Sequence, residues 1–159
     1  GICMKLTVYH GSFCEFTKPS LNMSKNYRDF GNGFYVTENY YDALNILNYK
    51  SGFVYEYKLS LNGLMIKEFS NDEEVLNYII ENRTSIIKDN YDVVIGKTLS
   101  NCARLFKQVR NGQKEVNKAD LIELLKQTPH QDQICLKTER ALSELELTNI
   151  HYYSAEDFV

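Results

Sequence analysis

The sequence lacks several features that would assign a class of function directly. It contains no tryptophan and two prolines, and its formal net charge of −3 shows no excess of basic residues. This charge argues against an overall electrostatic attraction to nucleic acid. A local basic patch is conceivable in one short run, which a solvated surface explains more simply. The members of that run are Arg104, Lys107, Arg110 and Lys114.

Long apolar segments are missing as well. No apolar run approaches the roughly 18 to 20 residues of a membrane-spanning helix, and no basic segment followed by an apolar stretch stands at the N-terminus. We therefore expect neither membrane association nor a secretory signal. Met4 is a candidate for the natural start, which would make residues 1–3 a remnant of cloning.

The cysteines and histidines are too dispersed to predict a metal site. The four cysteines form no Cys-x-x-Cys pair, and the three histidines are scattered along the chain. Since zinc sites usually draw ligands from closely spaced pairs, we expect no metal. Cys3 and Cys135 stand among apolar neighbours, which favours reduced thiols in a cytoplasmic protein.

Aromatic residues are what the sequence has in quantity. Twelve tyrosines and eight phenylalanines make 13% of its 159 residues aromatic. This content predicts either a tyrosine-rich core or stacking surfaces for a ligand. The length favours one domain that spans residues 1–159.

Hydrophobic periodicity indicates strands and helices without a regular β-α-β order. The predicted strands are residues 5–9, 34–37, 53–61, 64–66, 91–95, 133–137 and 150–153. The predicted helices are residues 40–49, a segment after a capping box at 70–73, residues 118–127 and residues 139–147. The expected fold class is therefore α+β, not a doubly wound sheet.

Three segments carry residues suited to chemistry. The first is Tyr9-His10-Gly11-Ser12, where the first predicted strand ends. A histidine in this place can point into a cleft, while the glycine offers bare N–H and C=O groups. A purely structural His10 is the alternative, and the segment taken alone favours it.

The second segment, residues 27–37, has the sequence YRDFGNGFYVT. Gly31 and Gly33 permit positive φ or a backbone that runs close to a flat ligand, and Tyr35 supplies an aromatic face and a hydroxyl. The alternative is an Asn32-Gly33 hairpin turn whose aromatic neighbours fill the core. The segment taken alone favours this hairpin.

The third segment, residues 132–139, is a short predicted strand with polar residues at both ends. Gln133 could reach a cleft from the beginning of the strand, and a solvated loop position is its alternative. Glu139 is best explained as a first-turn carboxylate that the helix dipole favours.

The order and spacing of these segments resemble the ADP-ribosyltransferase superfamily, in the His-Tyr-Glu branch that includes the poly(ADP-ribose) polymerases and diphtheria toxin. The chain is similar, more closely, to a bacterial family of domains of unknown function that is placed in that superfamily. Members of that family often stand beside a small partner gene as toxins. The similarity covers nearly the whole chain, through YHGS at 9–12, DFGNGFYVT at 29–37, YDVVIG at 91–96 and QICLKTERAL at 133–142.

The resemblance implies a split, mixed β-sheet and the use of NAD as the donor of one ADP-ribose. It implies that His10 bonds a hydroxyl of the adenosine-side ribose and that Gly11 bonds the nicotinamide carboxamide through its backbone. It also implies that Tyr35 stacks on the pyridine ring and that Ser12 assists.

The same resemblance assigns Gly33 and Phe34 to the NAD-binding segment. It further implies a second stacking ring, for which the candidates are Tyr40, Tyr41 and Tyr49. The acceptor would be a macromolecule, protein or nucleic acid, and a small neutralising protein would be a further partner.

The catalytic triad implied by the resemblance is His10, Tyr35 and Gln133, and its third member departs from the pattern because glutamine stands in place of glutamate. A glutamine can accept a hydrogen bond from the 2′-hydroxyl of the nicotinamide ribose, but it lacks the charge, which costs on the order of 1 kcal/mol. Neither Glu139, further along the chain, nor Asp132, adjacent to Gln133, is expected to replace it.

The sequence thus leaves three functions open. The first is mono-ADP-ribosyl transfer by a bacterial toxin or effector, with release of nicotinamide. The second is a module that binds NAD or ADP-ribose without transferring it, which the neutral Gln133 favours. The third is a structural or interaction domain in which the tyrosines are core and the motif is coincidental.

Overall fold

A computed structural model of the chain describes residues 5–23, 25–128 and 133–159. The expected start at Met4, the thiol of Cys3, the expected helix end at Pro129 and the carboxylate of Asp132 lie outside the described residues. The strands are β1 (Lys5–Ser12), β2 (Phe34–Val36), β3 (Gly52–Ser60), β4 (Ile66–Glu68), β5 (Val93–Gly96), β6 (Gln133–Leu136) and β7 (Leu145–Tyr153). The helices are α1 (Tyr40–Asn45), α2 (Asp72–Thr84), α3 (Ala103–Arg110), α4 (Lys118–Lys126) and α5 (Glu139–Leu142).

The strands form two sheets, which confirms the α+β class. The three-stranded sheet has the order β1-β3-β7 and is antiparallel throughout. The four-stranded sheet has the order β2-β6-β5-β4 and is mixed, because β4 runs parallel to β5 while the other pairs are antiparallel. An isolated antiparallel bridge between Tyr9 and Thr37 joins one sheet to the other.

Three apolar clusters hold these layers together. One contains buried residues of both sheets, among them Val8 of β1, Leu59 of β3 and Phe34 of β2. A second packs one face of the four-stranded sheet against α2, α3 and α4. The third places α1 on the outer face of the three-stranded sheet, with Leu47 and Val54 fully buried. Burial of this kind contributes about 25 cal/mol per Å² of apolar surface removed from water.

Several predicted boundaries are wrong, each because a tertiary partner overrides the local pattern. β1 continues past Tyr9 to Ser12, since β3 supplies pairing partners as far as Phe53. α1 ends at Asn45, and the chain then turns through Asn48 and Tyr49 with positive φ.

Two further segments differ from their predictions, one in type and one in bounds. Residues 145–147 belong to β7 and not to a helix, since α5 ends at Leu142 and the chain then pairs with β3. The strand predicted at residues 64–66 begins at Ile66 and joins the four-stranded sheet beside β5. The cap of α2 is Asn71, whose side chain accepts the backbone N–H of Glu74.

Candidate functional site

The two sheets are joined at one point and part next to it. Tyr9 donates its N–H to the carbonyl of Thr37 at 2.7 Å and accepts the N–H of Thr37 at 3.0 Å. One antiparallel step further Gly11 would face Tyr35, but in the described part of the chain the bridge is isolated and the ladder does not continue. A split therefore separates the strand that carries His10-Gly11 from the strand that carries Tyr35.

Gly11 directs its backbone into this split. Successive residues of an antiparallel strand direct their N–H and C=O groups alternately to opposite edges. Tyr9 uses the outer edge of β1 to bond Thr37, so Gly11, two residues on, directs its polar groups to that same edge. α1 closes one side, because a Cβ on Gly11 would collide with the backbone carbonyl of Ala43. A planar amide could thus be bonded by Gly11 beside α1.

His10 lies behind the split and is held in one orientation. Its ring stacks on Phe34 with centroids 4.2 Å apart, and Phe16 meets it edge-on at 5.8 Å. Nδ1 lies 2.7 Å from the carbonyl oxygen of Tyr35. A carbonyl only accepts, so Nδ1 carries the proton and Nε2 is the acceptor of the neutral ring. Burial lowers the pKa of His10 more than this hydrogen bond raises it, which favours the neutral form.

Tyr35 is anchored through its hydroxyl. The hydroxyl accepts the backbone N–H of Phe30 at 3.0 Å and donates to the carbonyl of Gly31 at 2.6 Å. The ring stands nearly parallel to that of Phe30, with centroids 6.4 Å apart. Burial raises the pKa of the Tyr35 hydroxyl well above its usual value, and Cys135 adds to the shift. The ring is consequently a fixed, neutral and partly exposed platform.

Gln133 lies on the same face of the sheet as Tyr35. β2 and β6 pair Tyr35 with Cys135 and Val36 with Ile134, so the next step of this register sets Thr37 opposite Gln133. Residues two apart on a strand share a face, and diagonal neighbours of this kind lie about 7–8 Å apart. Thr37 thereby connects Gln133 to Tyr9, and the split, the ring and the amide meet at one junction.

Tyr9 and Thr37 are members of this junction that were not predicted from the sequence. Both follow from the period of two along a strand, since Tyr9 shares its face with Gly11 and Thr37 shares its face with Tyr35. Which strand adjoins which, however, is not written in that periodicity.

The glycine-rich segment is not an Asn-Gly hairpin. Gly31, and not Gly33, has positive φ, at 80°. Gly33 is needed for close packing, since a Cβ there would lie 2.7 Å from the carbonyl of Leu136 in β6. Phe34 is 0% exposed, so it supports the ring of His10 from the core and presents no surface to a ligand.

Comparison with known families assigns the chain. The sequence model of the DUF3990 family, described as proteins of unknown function, matches residues 6–147. The chain belongs to the DUF3990 family. No curated protein and no solved structure matches it. The DUF3990 match includes every residue of the junction and ends within β7, six residues before the strand does.

The remaining site residues predicted for this DUF3990 chain lie outside the junction itself. Ser12 forms a local turn, since its hydroxyl donates to the carbonyl of Cys14 at 2.8 Å. Tyr40 packs edge-on against Tyr9 at 5.1 Å and its hydroxyl bonds that of Tyr153. Tyr41, beside it on α1, is 72% exposed.

Tyr49 and Glu139 complete the predicted residues. Tyr49 is 74% exposed beyond the end of α1. Glu139 begins α5 after the opposite end of β6 from Gln133, so its carboxylate does not reach the junction.

Within residues 5–23, 25–128 and 133–159, histidine, cysteine and carboxylate side chains form no group of three that could hold a metal ion. The same residues include no helix with the length and apolar character needed to cross a membrane.

Proposed function

We propose that this DUF3990 protein is an NAD-dependent mono-ADP-ribosyltransferase related to the His-Tyr-Glu branch. The observation that carries the proposal is the junction of β1, β2 and β6. His10-Gly11, Tyr35 and Gln133 are far apart in sequence, and strand pairing brings their backbones together at the Tyr9–Thr37 bridge. A chance match of three short motifs would not require this convergence.

The residues at the junction fit the parts of NAD. The N–H and C=O of Gly11 match a carboxamide, whose C=O accepts and whose NH₂ donates in one plane. The anchored ring of Tyr35 offers a stacking surface for the pyridinium, and the Nε2 atom of neutral His10 accepts from a ribose hydroxyl. Gln133 accepts the 2′-hydroxyl of the other ribose. No metal is required by this arrangement.

The reaction breaks the bond between the nicotinamide nitrogen and C1′ of its ribose, and the electron pair leaves with neutral nicotinamide. A lone pair of the acceptor then bonds C1′, and the acceptor releases its proton to solvent. Between these two events the ribose carries positive charge and resembles an oxocarbenium ion. Polar groups oriented in advance stabilise this charge. Gln133 supplies a dipole where a glutamate would supply a full charge.

The proposed setting is the bacterial cytoplasm, where the protein would act as a toxin or effector on a protein or a nucleic acid. A small neutralising protein would restrain it. This setting is proposed from the resemblance of the sequence motifs, as is the relationship to the superfamily.

Transfer is tested by incubating the protein with NAD labelled on its ADP-ribose half, alone and with a bacterial lysate. We expect release of free nicotinamide and a mass increment of one ADP-ribose on the protein or on a lysate component. Tyr35→Ala should abolish both signals, whereas Tyr152→Ala should retain them, because Tyr152 is 63% exposed on β7. If NAD neither raises the melting temperature nor is consumed, the proposal is wrong.

Gln133→Glu provides a sharper test of the catalytic position. A carboxylate there supplies the missing charge to the transition state, so turnover should rise on the order of tenfold while the KM for NAD changes less. Gln113→Glu is the matched control, since it adds the same charge at an exposed position after α3. Equal turnover in Gln133→Glu and wild type would remove Gln133 from the catalytic role.

A second function is favoured by the glutamine itself. A domain that binds NAD without transfer needs the Gly11 edge and the Tyr35 ring but not a charged group at position 133. Thermal stabilisation by NAD, lost in Tyr35→Ala, with no nicotinamide released from either wild type or Gln133→Glu, would identify this binding module.

A further inference from the structure

The turn of residues 27–31 anchors the ring of Tyr35. Two hydrogen bonds join the Tyr35 hydroxyl to Phe30 and Gly31 in this turn. The backbone is left-handed at both ends, with φ of 64° at Tyr27 and 80° at Gly31. A tyrosine in that conformation is strained, and such strain persists only where surrounding contacts hold it.

Asp29 holds the middle of the turn. Its residue is 3% exposed, and the two carboxylate oxygens have separate partners. Oδ1 accepts from Nε of Arg83 in α2 at 2.6 Å, and Oδ2 accepts the backbone N–H of Leu99 at 2.6 Å. A buried carboxylate is tolerated only when it is paired in this way.

Arg83 and Arg110 hold the beginning of the turn. Arg83 donates from Nη1 to the carbonyl of Tyr27 at 2.8 Å, so one guanidinium bonds two points of the turn. Arg110 of α3 lies over the ring of Tyr27 at 4.2 Å and donates to the carbonyl of Arg83 at 2.6 Å. Arginine side chains from both α2 and α3 therefore hold the turn in place.

We propose that the Asp29–Arg83 ion pair is a positioning device that sets the ring of Tyr35 for nicotinamide. This inference rests on the proposed function and assigns to α2 and α3 the control of the Tyr35 ring. Loss of the pair would leave a buried, unpaired group, and the turn would relax toward ordinary φ values. The Tyr35 hydroxyl would then lose its two fixed partners, and the ring would lose its orientation.

The test separates the two halves of NAD. Tyr35 would contact only the nicotinamide, so Asp29→Asn should raise the Kd for nicotinamide about tenfold and leave the Kd for ADP-ribose within twofold. Titration calorimetry of the full chain with each compound measures both values. If the ion pair served stability alone, the affinities for both ligands would fall or neither would.

Asp92→Asn is the matched control. Asp92 is 4% exposed and, like Asp29, accepts from an arginine, Arg140, and from a backbone N–H, that of Met65. It lies where β5 begins, away from the Gly96–Gln133 end of the sheet. This variant should lose stability without changing the ratio of the two dissociation constants. Equal ratios in Asp29→Asn and Asp92→Asn would overturn the positioning role.

Tyr35→Phe keeps the inference testable if Asp29→Asn does not fold. It keeps the ring and removes only the hydroxyl that the turn holds, so the same selective loss of nicotinamide affinity is expected. If wild type binds NAD and Tyr35→Phe binds nicotinamide as tightly as wild type does, the inference is wrong. Wild-type protein that binds neither nicotinamide nor ADP-ribose would instead reject the proposed function, and the positioning role with it.

Discussion

At the scale of single residues, His10 shows how burial decides the chemistry of a side chain. The sequence singled out this histidine as a candidate site residue, but it did not indicate the protonation state of the ring. The ring is enclosed by Phe34 and Phe16, and its proton is fixed on Nδ1 by the carbonyl of Tyr35. Only these contacts, made across the sheet split, define Nε2 as the acceptor.

His10 should make the stability of the protein depend on pH. Its folded-state pKa is lowered from 6.5 by burial, so the unfolded chain binds this proton more readily. The free energy of unfolding is therefore unaffected above pH 6.5, falls as the pH drops below 6.5 and levels off below the folded pKa. Urea denaturation between pH 5 and 8 measures this slope.

The control for that slope is His10→Gln, whose amide can still donate to the carbonyl of Tyr35. The variant should lose the part of the slope that lies between pH 5.5 and 6.5, where carboxylates are already ionised. An identical pH profile in wild type and His10→Gln would show that burial does not perturb this histidine.

The two glycines of the segment at residues 27–37 illustrate what residue identity alone can and cannot predict. The sequence indicated that Gly31 and Gly33 serve positive φ or close approach, and both reasons occur. Gly31 has the positive φ, while Gly33 lies against β6 of the same chain and not against a ligand. The partner in a close approach is set by strand order, which composition does not encode.

At the scale of elements, hydrophobic periodicity predicted the bounds of several elements closely. The strands β2, β3, β5 and β6 and the helix α4 lie within a few residues of their predicted bounds. The helix predicted over residues 139–147 is wrong at 145–147, because α5 stops after one turn and the chain enters a long edge strand. α3 was not predicted, although Leu105, Phe106 and Val109 stand at helical spacing, because the basic residues of this run were interpreted as a solvated surface.

Gly11 belongs to the candidate site and packs directly against α1, and Gly11→Ala tests this packing. The added Cβ would collide with the carbonyl of Ala43, so α1 must shift away from β1. We expect the free energy of unfolding to fall by about 2 kcal/mol, as for other over-packed positions. Urea denaturation without any ligand measures the effect.

Gly63→Ala is the comparison for this variant. Among the described residues other than its two chain neighbours, no atom lies within 4 Å of a Cβ at Gly63, and its φ is +75°, so only backbone strain of about 1 kcal/mol is expected. A loss in Gly11→Ala no larger than that in Gly63→Ala would mean that α1 does not require glycine beneath it.

At the scale of the whole molecule, the α+β class followed from the pattern of strands and helices and the resemblance implied a split, mixed sheet, but neither indicated which strands form each of the two sheets. The pattern of strands and helices excludes a doubly wound arrangement. The partition depends on β4 joining β5 in parallel and on the Tyr9–Thr37 bridge, both of which are long-range pairings. The candidate site lies at that partition. Its members were predicted only from the joint order and spacing of their segments, which do not encode the strand pairings that bring them together.

Asp92 connects several elements at the end of the four-stranded sheet where β5 begins. Its contacts give a prediction for the stability of the whole fold. Asp92 accepts from Arg140, from the hydroxyl of Thr138 at 2.6 Å and from the N–H of Met65 at 2.8 Å. It thereby joins the approach to β4, the beginning of β5 and α5. The hydrogen bond from Arg140 is the main reason that the pKa of Asp92 falls to about 2.

Because the folded pKa of Asp92 lies below the unfolded value of 3.8, its contribution to stability is complete above pH 3.8 and is lost as the pH falls toward about 2. The difference in the free energy of unfolding between wild type and Asp92→Asn should therefore be constant from pH 5 to 7 and shrink between pH 4 and 2. Urea denaturation across that range measures it, with the exposed Asp120→Asn of α4 as the control. A gap that stays equally large at pH 2 would show that the Asp92 carboxylate, as a charge, does not hold this end of the sheet together.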